Sequence, residues 1–262
     1  MSYLLIGIVS VLVSMLTLFS GFGLGTLLLP AFLLFFPAPV AIAATAIVHL
    51  ANNIFKVFFV GQKADLKTLI AFSLPATVTA LIGALLMSQV SALPPWFQYQ
   101  WLGRVLEVTP VKLVIAFLMA GFACLELNPA FQKLAFPKSW IPVGGALSGF
   151  FGGLTGHQGA LRSAFLIRAG LDKEAFIGTT VVSAVLIDIS RLSIYGVAFF
   201  SGHFDLLCKD DQWGLILLGI SSAFLGTYLA SRFMHKVTLS VIQKLIGTLL
   251  IIYALLLGSG VI

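Results

Sequence analysis

Four polar side chains are predicted to form one stripe on an apolar helix between positions 40 and 60. They are His49, Asn52, Asn53 and Lys56. Their spacing of i, i+3, i+4 and i+7 places them on a single helix face, and Thr45 extends the stripe by one turn. The stripe is either a hydrogen-bonded seam between helices or the lining of a substrate path. A seam rarely needs a histidine and a lysine as well, so the substrate path is favoured.

A second apolar segment, predicted from 174 to 200, carries Asp188 and Arg191 one helical turn apart. The two side chains can pair with each other, and a neutralised pair used only for structure is one interpretation. Ionisable residues this deep in an apolar segment more often mark a functional site. Asp188 is the candidate proton carrier, because a buried carboxylate changes its protonation state with its surroundings.

Two glycine-rich breaks interrupt apolar segments, one at Ser20–Gly25 and one at Thr155–Gly159. A helix that restarts after a break exposes free backbone N–H groups, which together with the helix dipole favour an anion. The polar residues of both breaks supply further donors and one fixed charge: Ser20, Gly21, Thr155, Gly156, His157, Gln158 and Arg162. Close helix packing is the alternative role for such glycines. The breaks therefore predict an anion site.

The composition places these residues inside a lipid bilayer. The 262 residues are 60% hydrophobic and 9% charged, with a mean hydropathy of +1.09, whereas soluble domains are about 25% charged. The basic residues are scattered, so the net charge of +6 predicts membrane orientation and not nucleic-acid binding. The sequence has no Gly-x-Ser-x-Gly, paired acidic or CxxC motif and no ligand spacing among its histidines. We therefore predict no catalytic site, metal site or cofactor.

The apolar segments predict an all-α, polytopic bundle. The expected elements are a broken segment at 3–36, helices at 40–60, 66–90 and 110–127, a broken segment at 140–167, and helices at 174–200, 213–234 and 239–257. The segment at 89–109 mixes Trp, Tyr and Pro with polar residues. Such a mixture is typical of a stretch that lies at the membrane interface.

The two halves of the chain match at a shift of 135 residues. The shift pairs Ser20 with Thr155, Gly21 with Gly156, Thr45 with Thr180, Asn53 with Asp188, Lys56 with Arg191 and Gly61 with Gly196. The rare polar and glycine positions coincide although the overall identity is low. We therefore predict two membrane repeats, 1–127 and 140–262, joined by a linker at 128–139.

Basic residues separate two models for the broken segments. If both segments fold back as re-entrant pairs, nine Lys and Arg residues lie on one side and three on the other, with Lys56, Arg162 and Arg191 left in the membrane, which accounts for all 15. If both segments cross, the same flanking residues divide five against seven. Because cytoplasmic loops carry excess Lys and Arg, the fold-back model is favoured. Each repeat then has three crossings, so the repeats are inverted and both termini lie outside.

Among the three intramembrane cations, Lys56 is closest to an interface and is expected to reach it with its ammonium group. Arg162 or Arg191 is then the main charge partner of the anion, since the planar guanidinium matches sulfonate-like oxygens. The predicted binding set also includes Thr45 and Thr180.

The two breaks together resemble the duplicated signature of the sulfite exporter TauE/SafE family. The first reads SGFGLGTLLLPAFLLFFPAPVAIAATA and the second GFFGGLTGHQGALRSAFLIRAGLDKEAFIGTT. The chain has Leu24 and Thr26 where glycines are commoner in the family. The resemblance implies a transporter of the cell (inner) membrane for sulfite, sulfonates or related sulfur-containing anions.

The sequence thus predicts a secondary transporter of a small sulfur-containing anion, with proton coupling as one option. Its expected partners are the anion and the lipid bilayer, and a homo-oligomer is compatible with the sequence. A passive anion channel is the alternative, because channels also use broken helices and basic residues. The direction of transport is left open.

Overall fold

The computed structural model describes residues 2–20, 24–101, 103–128, 130, 135–200, 212–233 and 239–262. This part of the chain is mostly helical. The helices are α1 (Ser2–Ser20), α2 (Leu24–Leu33), α3 (Ala38–Val60), α4 (Leu66–Ser91), α5 (Pro110–Leu127), α6 (Ile141–Thr155), α7 (Gly159–Leu166), α8 (Lys173–Phe200), α9 (Gln212–Phe233) and α10 (Leu239–Gly258). Short 3-10 turns cover Gly61–Lys63 and Lys138–Trp140.

Four of the described helical segments are long and apolar enough to cross a membrane: Ala38–Lys63, Leu66–Ser91, Lys173–Gly196 and Trp213–Arg232. Shorter apolar helices cover Ser2–Thr17, Pro110–Leu125 and Gly247–Gly258. The apolar segments of the sequence therefore predicted the helices to within a few residues. The chain is a multi-pass membrane protein, and its lipid-facing surface is rich in exposed Leu, Ile and Phe side chains.

The all-α prediction is wrong for one segment. Strand β1 (Phe97–Trp101) pairs antiparallel with β2 (Arg104–Val108), within the stretch expected at the interface. The sequence FQYQW alternates aromatic and polar residues with the period of a strand, and Gly103 adopts the positive φ of 74° that a tight turn requires. Tyr99 donates a hydrogen bond of 2.5 Å to the carbonyl of Ser259, which fixes the hairpin to the end of α10.

Both broken segments fold back on themselves. In the second, Gly144 of α6 faces the ring of Phe165 in α7, and Gly152 faces Gln158 at the break. In the first, Ser10 of α1 and Phe32 of α2 lie beside the same residue of α9, Gly219. Each pair of short helices therefore runs antiparallel, so the chain returns after the break to the end of the bundle from which it came.

The first helix of each pair packs along a helix from the other half of the chain. Helix α6 lies against α4 with Gly145, Gly149 and Gly153 at successive turns, where the backbones approach so closely that a side chain would collide with Phe72, Ala76 and Ala80. Helix α1 lies against α9 in the same parallel sense. Small residues at four-residue intervals permit this approach in a membrane, where packing replaces the hydrophobic effect.

Helices α3 and α8 pack antiparallel at the centre of the bundle. Gly178, near the beginning of α8, lies against the backbone of Val60 and Ala64 at the end of α3. The Asp65 N–H donates to the Thr179 hydroxyl at 2.9 Å, and Asp65 caps α4 by accepting from the Thr68 N–H at 2.8 Å. Hydrogen bonds from Thr68 hold the pKa of the Asp65 carboxyl below its ordinary value. These contacts fix the register of α3 against α8.

Candidate functional site

Asp188 is the centre of a buried polar network between α3, α8 and the second break. Its Oδ2 lies 2.5 Å from Nδ1 of His49, and its Oδ1 accepts from Nε of Arg191 at 3.0 Å and lies 2.8 Å from Nη2 in an ion pair. Gln158 donates to the same oxygen at 3.4 Å. Asp188, Arg191 and Gln158 are fully buried. The structure therefore brings the imidazole of His49, which is distant in the sequence, to the carboxylate and guanidinium of the Asp188–Arg191 pair.

The predicted polar stripe of α3 is buried along its whole length, and its residues face two directions. The amide nitrogen of Asn53 lies 3.2 Å from each ring nitrogen of His49 and 3.5 Å from Oδ2 of Asp188. Asn52 instead accepts a 2.8 Å hydrogen bond from Thr227 of α9. One side of the stripe thus joins the Asp188 network, and the other joins α3 to α9.

Arg162 extends the network away from Asp188. Its Nη1 donates to Oε1 of Gln158 at 3.2 Å, while the amide nitrogen of Gln158 points to Asp188. The side chain is buried, and its Nε has no hydrogen-bond partner among the described residues. Gln158 therefore separates a cation from the carboxylate that could have neutralised it, and part of the guanidinium is left available to a ligand.

Lys56 is also buried, with a relative exposure of 5%. This corrects the expectation that its ammonium group reaches an interface. The beginning of α8 packs against the end of α3, one turn beyond Lys56, and closes that route. Lys56 forms no hydrogen bond or ion pair with any residue that the structure describes.

His157 is placed apart from the Asp188 carboxylate. Its Nδ1 lies 2.7 Å from the Thr155 hydroxyl, and its ring stacks on Phe122 of α5 at 5.4 Å between centroids. The other ring nitrogen, Nε2, is buried and has no partner in the described part of the chain. His157 therefore presents a free imidazole nitrogen near the break while its ring is held by packing.

The two breaks meet inside the bundle. A Cβ placed on Gly25 would lie 3.5 Å from the carbonyl oxygen of Gly156 and 3.7 Å from Cγ2 of Thr45. The hydroxyls of Thr45 and Thr180 are buried without a partner among the described residues. Gly21 and the side chain of Ser20, both predicted to bind the anion, lie outside what the structure describes.

Gly156 has two structural reasons to be glycine. It ends α6 with a φ of 86°, the left-handed conformation typical of the residue after a helix, and its N–H bonds to the carbonyl of Gly152. A Cβ at this position would also lie 2.7 Å from Nη1 of Arg191. The break thus allows Arg191 to lie directly against the backbone.

Sequence reasoning did not identify Tyr195, Thr227 or Phe122. Tyr195 is buried one turn after Arg191, and its hydroxyl bonds to the carbonyls of Gly153 and Leu154 at the end of α6. The repeat offers no signal for these residues, because none of them matches a polar position in the other half. A tyrosine four residues beyond Arg191 on the same helix face was the one available sign.

The buried charges do not balance. Lys56, Arg162 and Arg191 are buried, whereas Asp188 is the one buried carboxylate among the described side chains. Arg191 and Asp188 compensate each other, so Lys56 and Arg162 are left as two basic side chains without a counter-charge among the described residues. A group of unpaired cations in a low-dielectric interior attracts an anion strongly.

Comparison with known proteins identifies the relationship of the chain. Nothing matches among the curated proteins or the solved structures. The family model for the sulfite exporter TauE/SafE matches residues 6–257, nearly the whole chain. The chain therefore belongs to the sulfite exporter TauE/SafE family.

Proposed function

We propose that this member of a family of membrane transporters for sulfite and related anions is a secondary transporter of a small sulfur-containing anion in the inner cell membrane. The proposed site lies between the two breaks. The observation that carries the proposal is that two buried basic side chains, Lys56 and Arg162, have no carboxylate partner among the described residues. An unpaired buried charge costs several kcal/mol, and a bound anion removes that cost.

Several buried donor groups of the bundle suit a small oxyanion. The hydroxyls of Thr45 and Thr180, Nε of Arg162 and Nε2 of His157 are all buried without partners in the described part of the chain. Buried polar groups of native proteins are normally satisfied, so unsatisfied ones support a missing ligand. The first turn of α7 adds backbone N–H groups whose dipole favours negative charge. We therefore assign the anion to the space beside Arg162, its main charge partner, in the first turn of α7.

We further propose that the chain consists of two inverted repeats, 1–127 and 140–262, joined at 128–139. The parallel packing of α4 with α6 and of α1 with α9 supports this arrangement, because a pseudo-two-fold axis would relate the two contacts. Asn53 and Asp188, which the 135-residue shift pairs, lie 3.5 Å apart. Contact between residues that a repeat equates is expected close to such an axis.

Flux measurements distinguish the transporter from the passive channel. We expect sulfite uptake into proteoliposomes to saturate with concentration, to show counterflow of labelled sulfite, and to respond to an imposed pH gradient. A channel would show conductance that follows the electrochemical gradient without counterflow. Empty liposomes and the exposed-site variant Arg168→Lys are the controls. Linear flux without counterflow would establish the channel.

Cysteine labelling tests the inverted arrangement. With Cys124 and Cys208 replaced by serine, single cysteines at Glu174 and at Gln100 should react with an impermeant maleimide from opposite sides of the membrane. Glu174 lies at the predicted cytoplasmic end of the bundle, and Gln100 lies in the hairpin at the other end. Reaction of both positions from the same side would reject the inverted repeats.

A further inference from the structure

Lys56 occupies an unusual position for a lysine. It is buried on the inner face of α3, two turns beyond His49, and has neither an acceptor nor a carboxylate partner among the described residues. Lysine differs from arginine in that its amine readily loses its proton when it is desolvated. A lysine in this position can therefore be neutral in an empty site.

The charged groups that face Lys56 do not favour its ammonium form. Arg162 of α7 is bound to Gln158, in the same network that Asn53 joins one turn before Lys56, and it repels a second positive charge. The carboxylate of Asp188 on α8 is already paired with Arg191 and His49. Helix α9 directs Thr227 towards α3, while its ionisable residues, Tyr228 and Arg232, are exposed. Helix α2 has no titratable residue.

An anion bound beside Arg162 reverses this balance. It neutralises the repulsion from Arg162 and supplies the acceptor that the Lys56 amine lacks. Binding of the anion and binding of a proton to Lys56 then favour each other, as linkage requires. The affinity for an anion of fixed charge is therefore highest at pH values where the Lys56 amine of the empty site is already protonated. The affinity falls as the pH rises above the pKa of that amine.

We propose that Lys56 takes up a proton from water together with the anion, so that the buried amine couples proton movement to anion transport. The inference rests on the proposed anion site beside Arg162. In the step, the lone pair of the Lys56 amine accepts the proton, the resulting ammonium pairs with the anion, and both are released together on the other side. Asp188 keeps its negative charge throughout and serves to hold Arg191 and His49.

This assignment differs from the carrier that the sequence predicted. Arg191 forms a hydrogen bond and an ion pair with one oxygen of Asp188, and Nδ1 of His49 lies 2.5 Å from the other. Protonation of Asp188 would leave Arg191 buried without a counter-charge. Protonation of Lys56 breaks no contact among the described residues, so it is the less costly of the two changes.

Isothermal titration calorimetry of purified protein in two buffers of different ionisation enthalpy counts the protons. The probes are sulfite, sulfate and methanesulfonate at mildly alkaline pH. We expect the wild type to take up about one proton per anion more than Lys56→Arg, because arginine stays charged at every pH. The comparison between the two proteins cancels the ionisation of the probe itself. The exposed-site variant Lys67→Arg should match the wild type.

Each outcome decides one claim. Equal proton uptake by the wild type and Lys56→Arg would show that Lys56 is not the proton carrier. If Asp188→Asn loses proton uptake while Lys56→Arg retains it, Asp188 is the proton carrier. If Lys56→Arg does not fold, the wild type alone is informative: its affinity for sulfate should fall about tenfold per pH unit on the alkaline side. A pH-independent affinity would reject the coupling. Absence of binding by all three probes would reject the proposed anion site.

Discussion

Arg191 donates from Nε to Oδ1 of Asp188, three residues earlier in α8, and its Nη2 lies 2.8 Å from the same oxygen in an ion pair. Both side chains are fully buried. The pair is enclosed by α3, α6 and the second break, so neither charge has water as a substitute partner. Removing one member therefore leaves the other as an uncompensated buried charge, which lowers the stability of the protein.

Asp188→Asn should destabilise the protein severely. The asparagine removes the counter-charge of buried Arg191, and breaking one side of a buried pair costs about 3–5 kcal/mol. Thermal unfolding in detergent, followed by fluorescence-detected size exclusion, measures the change. The matched control is Glu174→Gln on the same helix, whose partner Lys63 is 3.3 Å away but whose side chain is 71% exposed. The control should change stability by about 1 kcal/mol or less, and equal losses would contradict the buried pair.

The two buried arginines should respond differently to lysine. In Arg162→Lys the loss of the planar fork should weaken sulfite binding at least about tenfold, which corresponds to about 1.4 kcal/mol. In Arg191→Lys the main effect should be on stability, since that guanidinium is engaged by Asp188. Calorimetric affinities and unfolding temperatures of both variants, with Arg168→Lys as an exposed control, separate the effects. A larger loss of affinity in Arg191→Lys would place the anion at Arg191.

Gly156→Ala should cost more than Gly170→Ala. Both glycines have a positive φ, 86° and 78°, so each alanine bears a backbone strain of about 1–2 kcal/mol. A Cβ at Gly156 also displaces the guanidinium of Arg191, whereas Gly170 has open space within 4 Å. We expect a larger fall in unfolding temperature and a loss of sulfite uptake in Gly156→Ala alone. Equal unfolding temperatures and equal sulfite uptake in the two variants would show that Arg191 does not need to lie against the backbone at Gly156.

Gly149→Ala should prevent α6 from packing on α4. The added Cβ would lie 2.5 Å from Cα of Ala76, a backbone contact that no rotamer relieves. Gly121→Ala in α5 is the matched control, because nothing lies within 4 Å of that position and alanine is the better helix former by about 0.5–1 kcal/mol. The yield of monodisperse protein measures the effect of each substitution on folding. Normal yield from Gly149→Ala would contradict the close contact.

Apolar length and glycine punctuation predicted the helices and both breaks well, because lipid demands long apolar segments and tolerates breaks only inside the protein. The i, i+3 spacing likewise predicted that Asp188 and Arg191 could pair. The burial of Lys56 could not be predicted in the same way, since it depends on α8 covering the end of α3. That contact is between residues more than 100 positions apart.

The β-hairpin was missed for a related reason. The alternation of FQYQW was present in the sequence, but its aromatic residues also suited an interfacial stretch. Only the pairing of β1 with β2 and the contact of Tyr99 with Ser259 distinguish the two interpretations. Both contacts require knowledge of what lies next to the segment.

The packing of α1 on α9 has a consequence for how the protein is made. Synthesis produces α1 well before α9, so Val11 and Ser14, which lie against Gly226, lack this packing partner until α9 has been made. Helices α1 and α2 must therefore remain in the bilayer without this contact until residues 212–233 have been synthesised and inserted. A cysteine at Ser14 should react with a maleimide in a ribosome-stalled chain that ends at residue 200 and be protected in the complete protein.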